Sequence, residues 1–390
     1  MSVTNHNSRA PGRILVIRLG SMGDVLHALP AVAALRVMFP EVEVGWVIEE
    51  RWAPLLASPG ARTRSPQMPL VDRVHLVNTR AWRQDLWSGK TREAILAARR
   101  ELRQTEYDVA WDFQGAWKSA AVALASGAPV RLGFRHPREQ AAAMFYTRKR
   151  NAEGAHVVEQ NLSLLAGLIP ADEERQRGIQ FSALRQTPPA PQLPQDERQE
   201  AWAEGELLRH GYLAHDFAIL NPGAGWGAKC WAAESYAEVA RGLAKRGLPS
   251  FINFGPNEEE LAQAVAKASN GVACALGSSV GQLIALTRRA RIFIGGDTGP
   301  MHLAAALRIP VVGIFGPTDP ARNGPYATES TVLRSSESVT NHSRRAKPDD
   351  AMLSIHPAEV LAAAQTLLLR EGSAPSPHLF PVFGQSGGYS

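Results

Sequence analysis

The sequence predicts an α/β protein with two Rossmann-like, doubly wound domains that face a central cleft. Short apolar runs alternate with amphipathic stretches along the chain, which is typical of βα units on a parallel sheet. The alternation stops in a proline-rich stretch and then begins again. The length of 390 residues also favours two domains, because one domain usually takes about 100–200 residues.

The first domain is predicted over residues 13–185, after a polar tail at 1–12 that we expect to be flexible. Its apolar runs predict strands at 13–18, 43–48, 73–77, 107–113 and 130–134. The helical spacing of apolar residues predicts helices near 24–38, 91–104, 116–126 and 156–168. This order is that of a parallel sheet with crossover helices.

A linker at 186–199 and a second domain over 200–350 are predicted next. Four prolines between residues 188 and 194 mark the linker, because proline lacks an amide donor and resists both helix and sheet. Strands are predicted at 217–221, 249–254, 272–276, 290–295 and 310–315, and helices near 234–246, 257–269, 280–289 and 300–307. We expect a C-terminal helix at 351–370 to pack towards the first domain, and a disordered tail at 371–390.

Composition and cysteine content indicate a cytoplasmic protein. The chain is 45% hydrophobic and 20% charged, which is ordinary for a globular protein. Cys230 and Cys274 are too few for a disulfide framework. The N-terminus lacks the apolar core of a signal peptide, and no apolar run approaches the roughly 20 residues of a spanning helix. We therefore expect contact with a membrane at most at its surface.

Basic residues concentrate in the first half of a chain whose net charge is +5. Residues 80–103 hold seven Arg or Lys against three acids, and residues 131–150 hold six against one. This charge suits an anionic partner such as a phosphorylated lipid, an acidic sugar or nucleic acid. For 90–103, a solvated helix face with alternating charges explains the pattern equally well.

Glycine and polar residues concentrate at the turns that follow the predicted strands. These turns lie at 20–24, 114–118, 222–229, 255–258 and 296–302. Ligands of open α/β sheets bind beyond the carboxyl ends of the strands, and helix N-termini there attract phosphates. Five such turns on one edge of two sheets predict a phosphate-binding cleft.

The turn at 296–302, GDTGPMH, is the most specific of the five. Asp297, Thr298 and Gly299 are predicted at a helix start, and His302 follows on the same face as Thr298. Alternatively, Asp297 is only the N-cap of that helix and His302 only a core residue.

Two charged residues of the neighbouring turns suit a nucleotide. Lys229 can neutralise a diphosphate, although a solvent-exposed lysine is the alternative. The stretch is not a Walker loop, because Ala228 stands where that motif requires glycine. Glu258 can accept hydrogen bonds from ribose hydroxyls, or it is simply a carboxylate in the first turn of a helix.

Asp24 is the candidate catalytic base. Ser21 and Asp24 match a capping box, yet Asp24 also follows the first strand and faces the predicted cleft, where a carboxylate can deprotonate an attacking hydroxyl. His27 is the competing base, but one helical turn further along it should point elsewhere. The sequence has no D-x-D triplet and no His/Cys cluster with metal-ligand spacing, so we expect no metal site.

Several stretches resemble the lipopolysaccharide heptosyltransferases of glycosyltransferase family 9, which have the GT-B fold. They are SMGDVLHALPA, DFQGAWKSA, RLGFRHPRE, AMFYTRKR and HVVEQNLSLL, which are similar to the type I enzymes, and GDTGPMHLAAAL and FGPTDP, which are typical of the whole family. The likeness covers residues 13 to about 370. It implies inverting, metal-independent transfer of L-glycero-D-manno-heptose from ADP-heptose to the 3-deoxy-D-manno-octulosonic acid (Kdo) of lipid A.

The resemblance implies a set of partners. ADP-heptose is a co-substrate, so we expect no cofactor. The acceptor, Kdo-lipid A, lies at the inner face of the cytoplasmic membrane. We expect no nucleic-acid partner and a monomer. The alternatives are a type II or type III heptosyltransferase, a GT-B nucleotide-sugar epimerase, and a non-enzymatic protein that binds an anionic ligand.

The turns and the resemblance together give the expected site residues. Asp24 matches the catalytic base of the family, and Lys229 matches the lysine that faces the donor phosphates. The expected donor-binding residues are Gly223, Gly225, Glu258, Asp297, Thr298, Gly299 and His302. The expected acceptor-binding residues are Arg80, Arg83, Gln114, Lys118 and Arg138.

Overall fold

The computed structural model describes residues 11–85, 87–169, 183–340 and 350–371. Two six-stranded sheets form the framework, and every pair of neighbouring strands in them is parallel. The sheets have the orders β3-β2-β1-β4-β5-β6 and β12-β11-β10-β7-β8-β9. Counted from the first strand of each half, both are the order 3-2-1-4-5-6 of the Rossmann fold. The predicted pair of Rossmann-like domains is therefore confirmed.

The strands of the first sheet lie between residues 13 and 150. They are β1 (Arg13–Ile17), β2 (Glu43–Glu49), β3 (Arg73–Val77), β4 (Val109–Asp112), β5 (Val130–Phe134) and β6 (Arg148–Arg150). The strands of the second sheet lie between residues 218 and 334. They are β7 (Ala218–Asn221), β8 (Ser250–Phe254), β9 (Ala273–Gly277), β10 (Ile292–Gly296), β11 (Val311–Phe315) and β12 (Ser330–Arg334).

Helices connect the strands and cover both faces of the sheets. In the first half they are α1 (Met22–Met38), α2 (Thr79–Gln84), α3 (Gly89–Gln104), α4 (Trp117–Ser126), α5 (Val157–Ser163) and α6, which includes residues 183–186. In the second half they are α7 (Glu197–His210), α8 (Ala233–Ala244), α9 (Glu259–Ala268), α10 (Val280–Arg288), α11 (Gly299–Ala306), α12 (Pro320–Asn323), α13 (Asp350–Leu353) and α14 (Pro357–Glu371). Short 3-10 helices occupy Glu50–Leu55, Gln140–Phe145, Leu164–Leu168 and Gly227–Lys229.

The prediction of five strands per sheet is wrong, because β6 and β12 each add a sixth. Both strands lie at the edge of their sheet. Strand β6 consists of three basic residues, and β12 has no fully buried residue. An edge strand faces solvent on one side and therefore often lacks the apolar run that identifies a central strand.

The C-terminal helix packs on the second domain, so the prediction that it packs towards the first domain is wrong. Helix α14 contacts α8 and strands β10, β11 and β12. Val360, Ala364 and Leu367 are fully buried in the core cluster of that domain. A side chain on Gly242 of α8 would collide with Leu361, so this glycine permits the close approach of α8 and α14. Burial of this apolar stripe fixes the helix on the nearer domain.

The predicted linker at 186–199 ends in α7, which begins at Glu197 with Asp196 as its N-cap. The flexible tail predicted at 1–12 lies mostly outside the described residues, although Gly12 donates a hydrogen bond to Asp108. The disordered tail predicted at 371–390 lies outside them beyond the end of α14.

Helix α1 joins the two halves of the molecule. It contacts α5 of its own half and α11 of the second half. Fourteen of its 17 residues are buried, which agrees with a helix that is apolar on nearly every side. Since α1 follows β1 and α11 follows β10, contact between their first turns makes the carboxyl ends of the two sheets face each other.

Candidate active site

The site is built where the first turns of α1 and α11 meet. A Cβ added to Gly23 would lie 2.7 Å from Cδ2 of His302, and one added to Gly299 would lie 2.8 Å from Met22. Real Cβ atoms do not approach other atoms so closely, so both helices need glycine at this crossing. The glycine-rich turns of the two sheets are thereby brought together.

Asp24 is held at this crossing by contacts to both of its carboxylate oxygens. Ser21 donates to Oδ2 from its amide and from its hydroxyl, both at 3.0 Å, so the predicted capping box is present. Nη2 of Arg18 lies 2.5 Å from Oδ1. The Asp24 side chain remains 35% exposed. The carboxylate therefore caps its helix and still reaches solvent.

The surroundings of Asp24 favour its ionised form. Burial raises the pKa of the carboxyl, but the Arg18 charge and the hydrogen bonds from Ser21 outweigh burial and hold the pKa below its usual value. Arg18 is itself fixed, because its Nη1 donates to the carbonyl of Phe113 at 2.7 Å. Asp24 is thus a carboxylate at neutral pH and can accept a proton.

Arg18 is a residue of the site that the sequence analysis missed. The signal was present, because Arg18 directly follows strand β1, where a charged side chain reaches the carboxyl edge of the sheet. Its pairing with Asp24 depends on the path of the turn between them, which spacing alone does not give.

Lys229, Asp297 and His302 form one buried network in the second half. Nζ of Lys229 lies 2.6 Å from Oδ2 of Asp297, and Nε2 of His302 lies 3.1 Å from its Oδ1. Burial raises the pKa of Asp297, but His302 and Lys229 together bring it far below its usual value. Asp297 is therefore an anion held between two basic side chains.

The N-cap of helix α11 is Thr298, and Asp297 lies one residue before it. The interpretation of Asp297 as merely an N-cap is therefore wrong. Helix α11 begins at Gly299 with Pro300 in its first turn, as predicted. The first amides of an α-helix have no partners within the helix, so this terminus is suited to bind an anion.

His27 continues the network across the domain crossing. Its Nε2 lies 3.1 Å from Nδ1 of His302, and its ring meets that of His156 edge to face at 5.5 Å. Burial and the neighbouring histidines hold the pKa of His27 well below its usual value. Burial likewise lowers the pKa of His156. Nδ2 of Asn161 donates to the His27 carbonyl at 2.9 Å. His27 and His156, which the sequence analysis did not group with this site, are thus neutral residues of the crossing.

Glu258 lies against the glycine turn that follows β7. A Cβ on Gly223 would lie 2.3 Å from the carboxyl carbon of Glu258, so a larger residue there would displace the Glu258 carboxylate. The Gly255 amide donates to Oε2 of Glu258 at 2.9 Å. The turn itself is braced by Asn221, whose Nδ2 donates to the Gly223 carbonyl at 3.0 Å. Gly225 has open space around its Cα, so no close contact requires glycine there.

The five predicted acceptor residues occupy three places in the first domain. Arg80 and Arg83 are exposed on α2, which follows the edge strand β3. Oε1 of Gln114 accepts from the Leu19 amide at 3.0 Å, which ties the turn after β4 to the end of β1. The half-buried Lys118 lies in the first turn of α4, and the exposed Arg138 adjoins Gly115 through its backbone.

Two features that such a site could have are absent from the described residues. Within the ranges that the structure describes, no group of three or more His, Cys, Asp or Glu residues is arranged to hold a metal ion. Among the helices of those same ranges, none combines the length and apolar character needed to cross a membrane.

Comparisons with known proteins agree with this arrangement. A family model described as glycosyltransferase family 9 (heptosyltransferase) matches residues 95–352. Lipopolysaccharide heptosyltransferase 1 of Escherichia coli strain K12 is 30% identical over 83% of this chain and 93% of its own length.

Two solved structures of E. coli heptosyltransferase WaaC share the fold. The complex with ADP has a TM-score of 0.69 at 27% identity and covers 91% of this chain and 99% of its own. The complex with ADP-2-deoxy-2-fluoro heptose has a TM-score of 0.64 at 26% identity and covers 93% of this chain and 100% of its own.

Proposed function

This chain belongs to glycosyltransferase family 9, and on that premise we propose that it transfers L-glycero-D-manno-heptose from ADP-heptose to the Kdo of lipid A. The reaction belongs to the synthesis of the lipopolysaccharide inner core. The 30% sequence identity to heptosyltransferase 1, over 83% of this chain and 93% of that protein, supports the type I reaction. The geometric observation that carries the proposal is the crossing of α1 and α11, where the Asp24 turn abuts the network of His302, Asp297 and Lys229.

The donor binds the second domain. Its diphosphate lies against the first turn of α11 and the glycine turn of Gly223 and Gly225, and the ribose hydroxyls donate to Glu258. The Lys229 ammonium has three N–H groups, and the carboxylate and the carbonyl of Asp297 take two of them. The third N–H donates to a phosphate oxygen, with the centre of the Trp226 ring 4.4 Å from the ammonium nitrogen. Asp297, already an anion, acts as a positioning residue that holds Lys229 and His302.

Asp24 acts as the general base. A carboxylate offers about four lone pairs, and Arg18 and Ser21 occupy three of those on Asp24. The acceptor hydroxyl donates to the remaining one. As the acceptor oxygen bonds to the anomeric carbon, its proton passes to Asp24, which is worth about 10²–10⁴-fold in rate. Attack from the face opposite the diphosphate inverts the anomeric centre.

The bond from the anomeric carbon to the phosphate breaks as the new bond forms, and ADP leaves with the electron pair. The transition state carries positive charge on the sugar and growing negative charge on the departing phosphate. The helix terminus and Lys229 stabilise that negative charge, with no metal ion in the reaction. This assignment rests on the positive groups that the chain itself supplies beside the diphosphate.

The acceptor binds the first domain through its anionic groups. Arg80, Arg83 and Arg138 contact the carboxylate of Kdo and the phosphates of lipid A, and Gln114 and Lys118 line the end of the site next to β1. The protein works at the inner face of the cytoplasmic membrane, where its lipid acceptor lies. We expect a monomer, because both halves of the site come from one chain.

The test is to incubate the purified protein with ADP-heptose and Kdo-lipid A and to record the mass of the lipid. We expect a gain of one heptose and release of one ADP. A gain only on lipid that already carries a heptose would instead identify a type II or type III enzyme. Conversion of the nucleotide sugar without acceptor would identify an epimerase, and binding without ADP release would identify a non-enzymatic protein.

A further inference from the structure

Helix α3 leaves most of its surface unburied. Of its 16 residues only Thr91 and Leu102 are buried, and its main contacts are with α4 and β3. A helix of this length that packs only along a narrow stripe presents most of its side chains to its surroundings.

One exposed face of α3 is strongly basic. We call it the α3 basic face, and its residues are Arg92, Leu96, Arg99, Arg100 and Arg103. Their spacing of four, three, one and three residues places them on one side of a helix with 3.6 residues per turn. They line a shallow groove together with Gly89 and Glu93. Four arginines against a single glutamate give this face its positive charge.

Two large apolar side chains accompany these arginines. Leu96 lies among them and is 53% exposed, and Trp87, just before the helix, is 84% exposed. The Arg92 guanidinium lies 5.5 Å from the Trp87 ring, so cation and aromatic ring form one patch. Affinity for a nucleic-acid backbone comes mainly from cations at the phosphates, to which an exposed leucine adds nothing. Helices at a bilayer surface, by contrast, combine apolar anchors with basic residues.

The α3 basic face adjoins the proposed acceptor site. Helix α2, with the exposed Arg80 and Arg83, ends at Gln84, and α3 begins at Gly89. Because α3 leads from β3 to β4, its first turn lies at the same carboxyl edge of the sheet as Asp24. The patch therefore runs from the rim of the site down the side of the first domain.

We propose that the α3 basic face, with Trp87, docks the protein on the anionic lipid surface that contains its acceptor. The arginines contact lipid phosphates, and Trp87 and Leu96 enter the headgroup layer. Docking brings the rim of the active site, with Arg80 and Arg83, to the bilayer surface. This proposal rests on the proposed function, because the acceptor there is a membrane glycolipid.

The test measures flotation of the full chain with vesicles of phosphatidylcholine and phosphatidylglycerol, and with vesicles of phosphatidylcholine alone. Wild type should float with the anionic vesicles and lose this binding in high salt. The triple variant Arg92→Gln/Arg99→Gln/Arg100→Gln should bind about a hundredfold more weakly, since each cation near such a surface contributes about fivefold. Trp87→Ala alone should weaken binding to the anionic vesicles at low and at high salt, because it removes an apolar anchor and no charge.

A charge-matched control separates this face from net charge. Arg198, Lys245 and Lys267 are exposed residues of the second half of the chain. Their simultaneous change to Gln removes the same charge and should leave flotation nearly unchanged. Equal loss in both triple variants, or none in the first, would overturn the proposal. Binding of RNA in place of anionic vesicles would overturn it as well.

Transfer assays separate failure of this proposal from failure of the proposed function. The α3 triple variant should keep wild-type transfer to Kdo-lipid A in detergent micelles and lose it on acceptor embedded in anionic vesicles. Equal activity of wild type and variant on the vesicles would overturn the docking proposal alone. Wild type without transfer to either acceptor would overturn the proposed function, while flotation would still test the docking surface.

Discussion

Substitution of Gly23 by Ala tests whether the crossing of α1 and α11 organises the site. The new Cβ would lie 2.7 Å from Cδ2 of His302, where carbon atoms normally sit about 3.5–4.0 Å apart, so His302 must move by about 1 Å. Overpacking of a buried contact costs about 1–3 kcal/mol, and the gain in helix propensity offsets up to about 1 kcal/mol. The movement also disturbs the 3.1 Å contact of His302 with Asp297.

The expected result is a small loss of stability and a large loss of activity. A displacement of this size within a site costs about a hundredfold in rate, so kcat should fall by about 10–100-fold. Thermal unfolding and heptose transfer are the two measurements. Gly205→Ala is the matched control, since that glycine lies in α7 with nothing within 4 Å of its added Cβ. A Gly23→Ala enzyme with wild-type stability and kcat would refute the close packing described here.

Three further changes test the charges of the site. Arg18→Met should raise the pKa of Asp24, because it removes the positive charge that lowers it, so activity should be lost at a higher pH on the acidic side. An unmoved acidic limb of the kcat/KM profile would contradict the pairing of Arg18 with Asp24. His27 and His156 are buried in their neutral form, so their titration should leave the free energy of unfolding unchanged above a pH of about 6.5. Below that pH the unfolded chain takes up protons that the folded one does not, and the free energy of unfolding should fall by up to about 1.4 kcal/mol per pH unit for each histidine. A Tm independent of pH between about 7.5 and 5.5 would contradict this. Lys229→Met should lower kcat by about 10²–10³-fold while the KM for the acceptor changes little, and steady-state kinetics with each substrate varied will show whether it does.

The fold followed from local patterns because the inner strands of both sheets are short apolar runs. VRLGF occupies the inner strand β5 with the predicted bounds. The edge strand β3, RVHLV, was also found with its predicted bounds, because it keeps enough apolar residues to be recognised. The polar edge strand RKR carried no such pattern. Helix α14 shows a second limit, because its apolar stripe predicts burial without saying which domain receives it.

The turn that contains Asp297 and His302 was predictable because its residues are close in sequence. The contact of His27 with His302 was not predictable, because these residues are far apart in sequence. Asp297 and His302 are five residues apart, and a helix start brings them together. His27 and His302 are 275 residues apart, and only the contact of two helices from different domains joins them. The role of Arg18 was missed for a smaller reason, since its contact to Asp24 depends on the conformation of one turn.

An Asp24→Asn enzyme tests whether the Asp24 carboxylate accepts the proton of the acceptor hydroxyl. The amide keeps the size of the side chain and can still accept from Ser21, but it is not a base. Heptose transfer should fall by about 10²–10⁴-fold, with ADP affinity unchanged by calorimetry. Ser21→Ala removes one hydrogen bond, keeps the carboxylate, and should retain most of the transfer. Loss of both transfer and ADP binding in Asp24→Asn, or near-normal transfer by that enzyme, would contradict the role of Asp24 as the base.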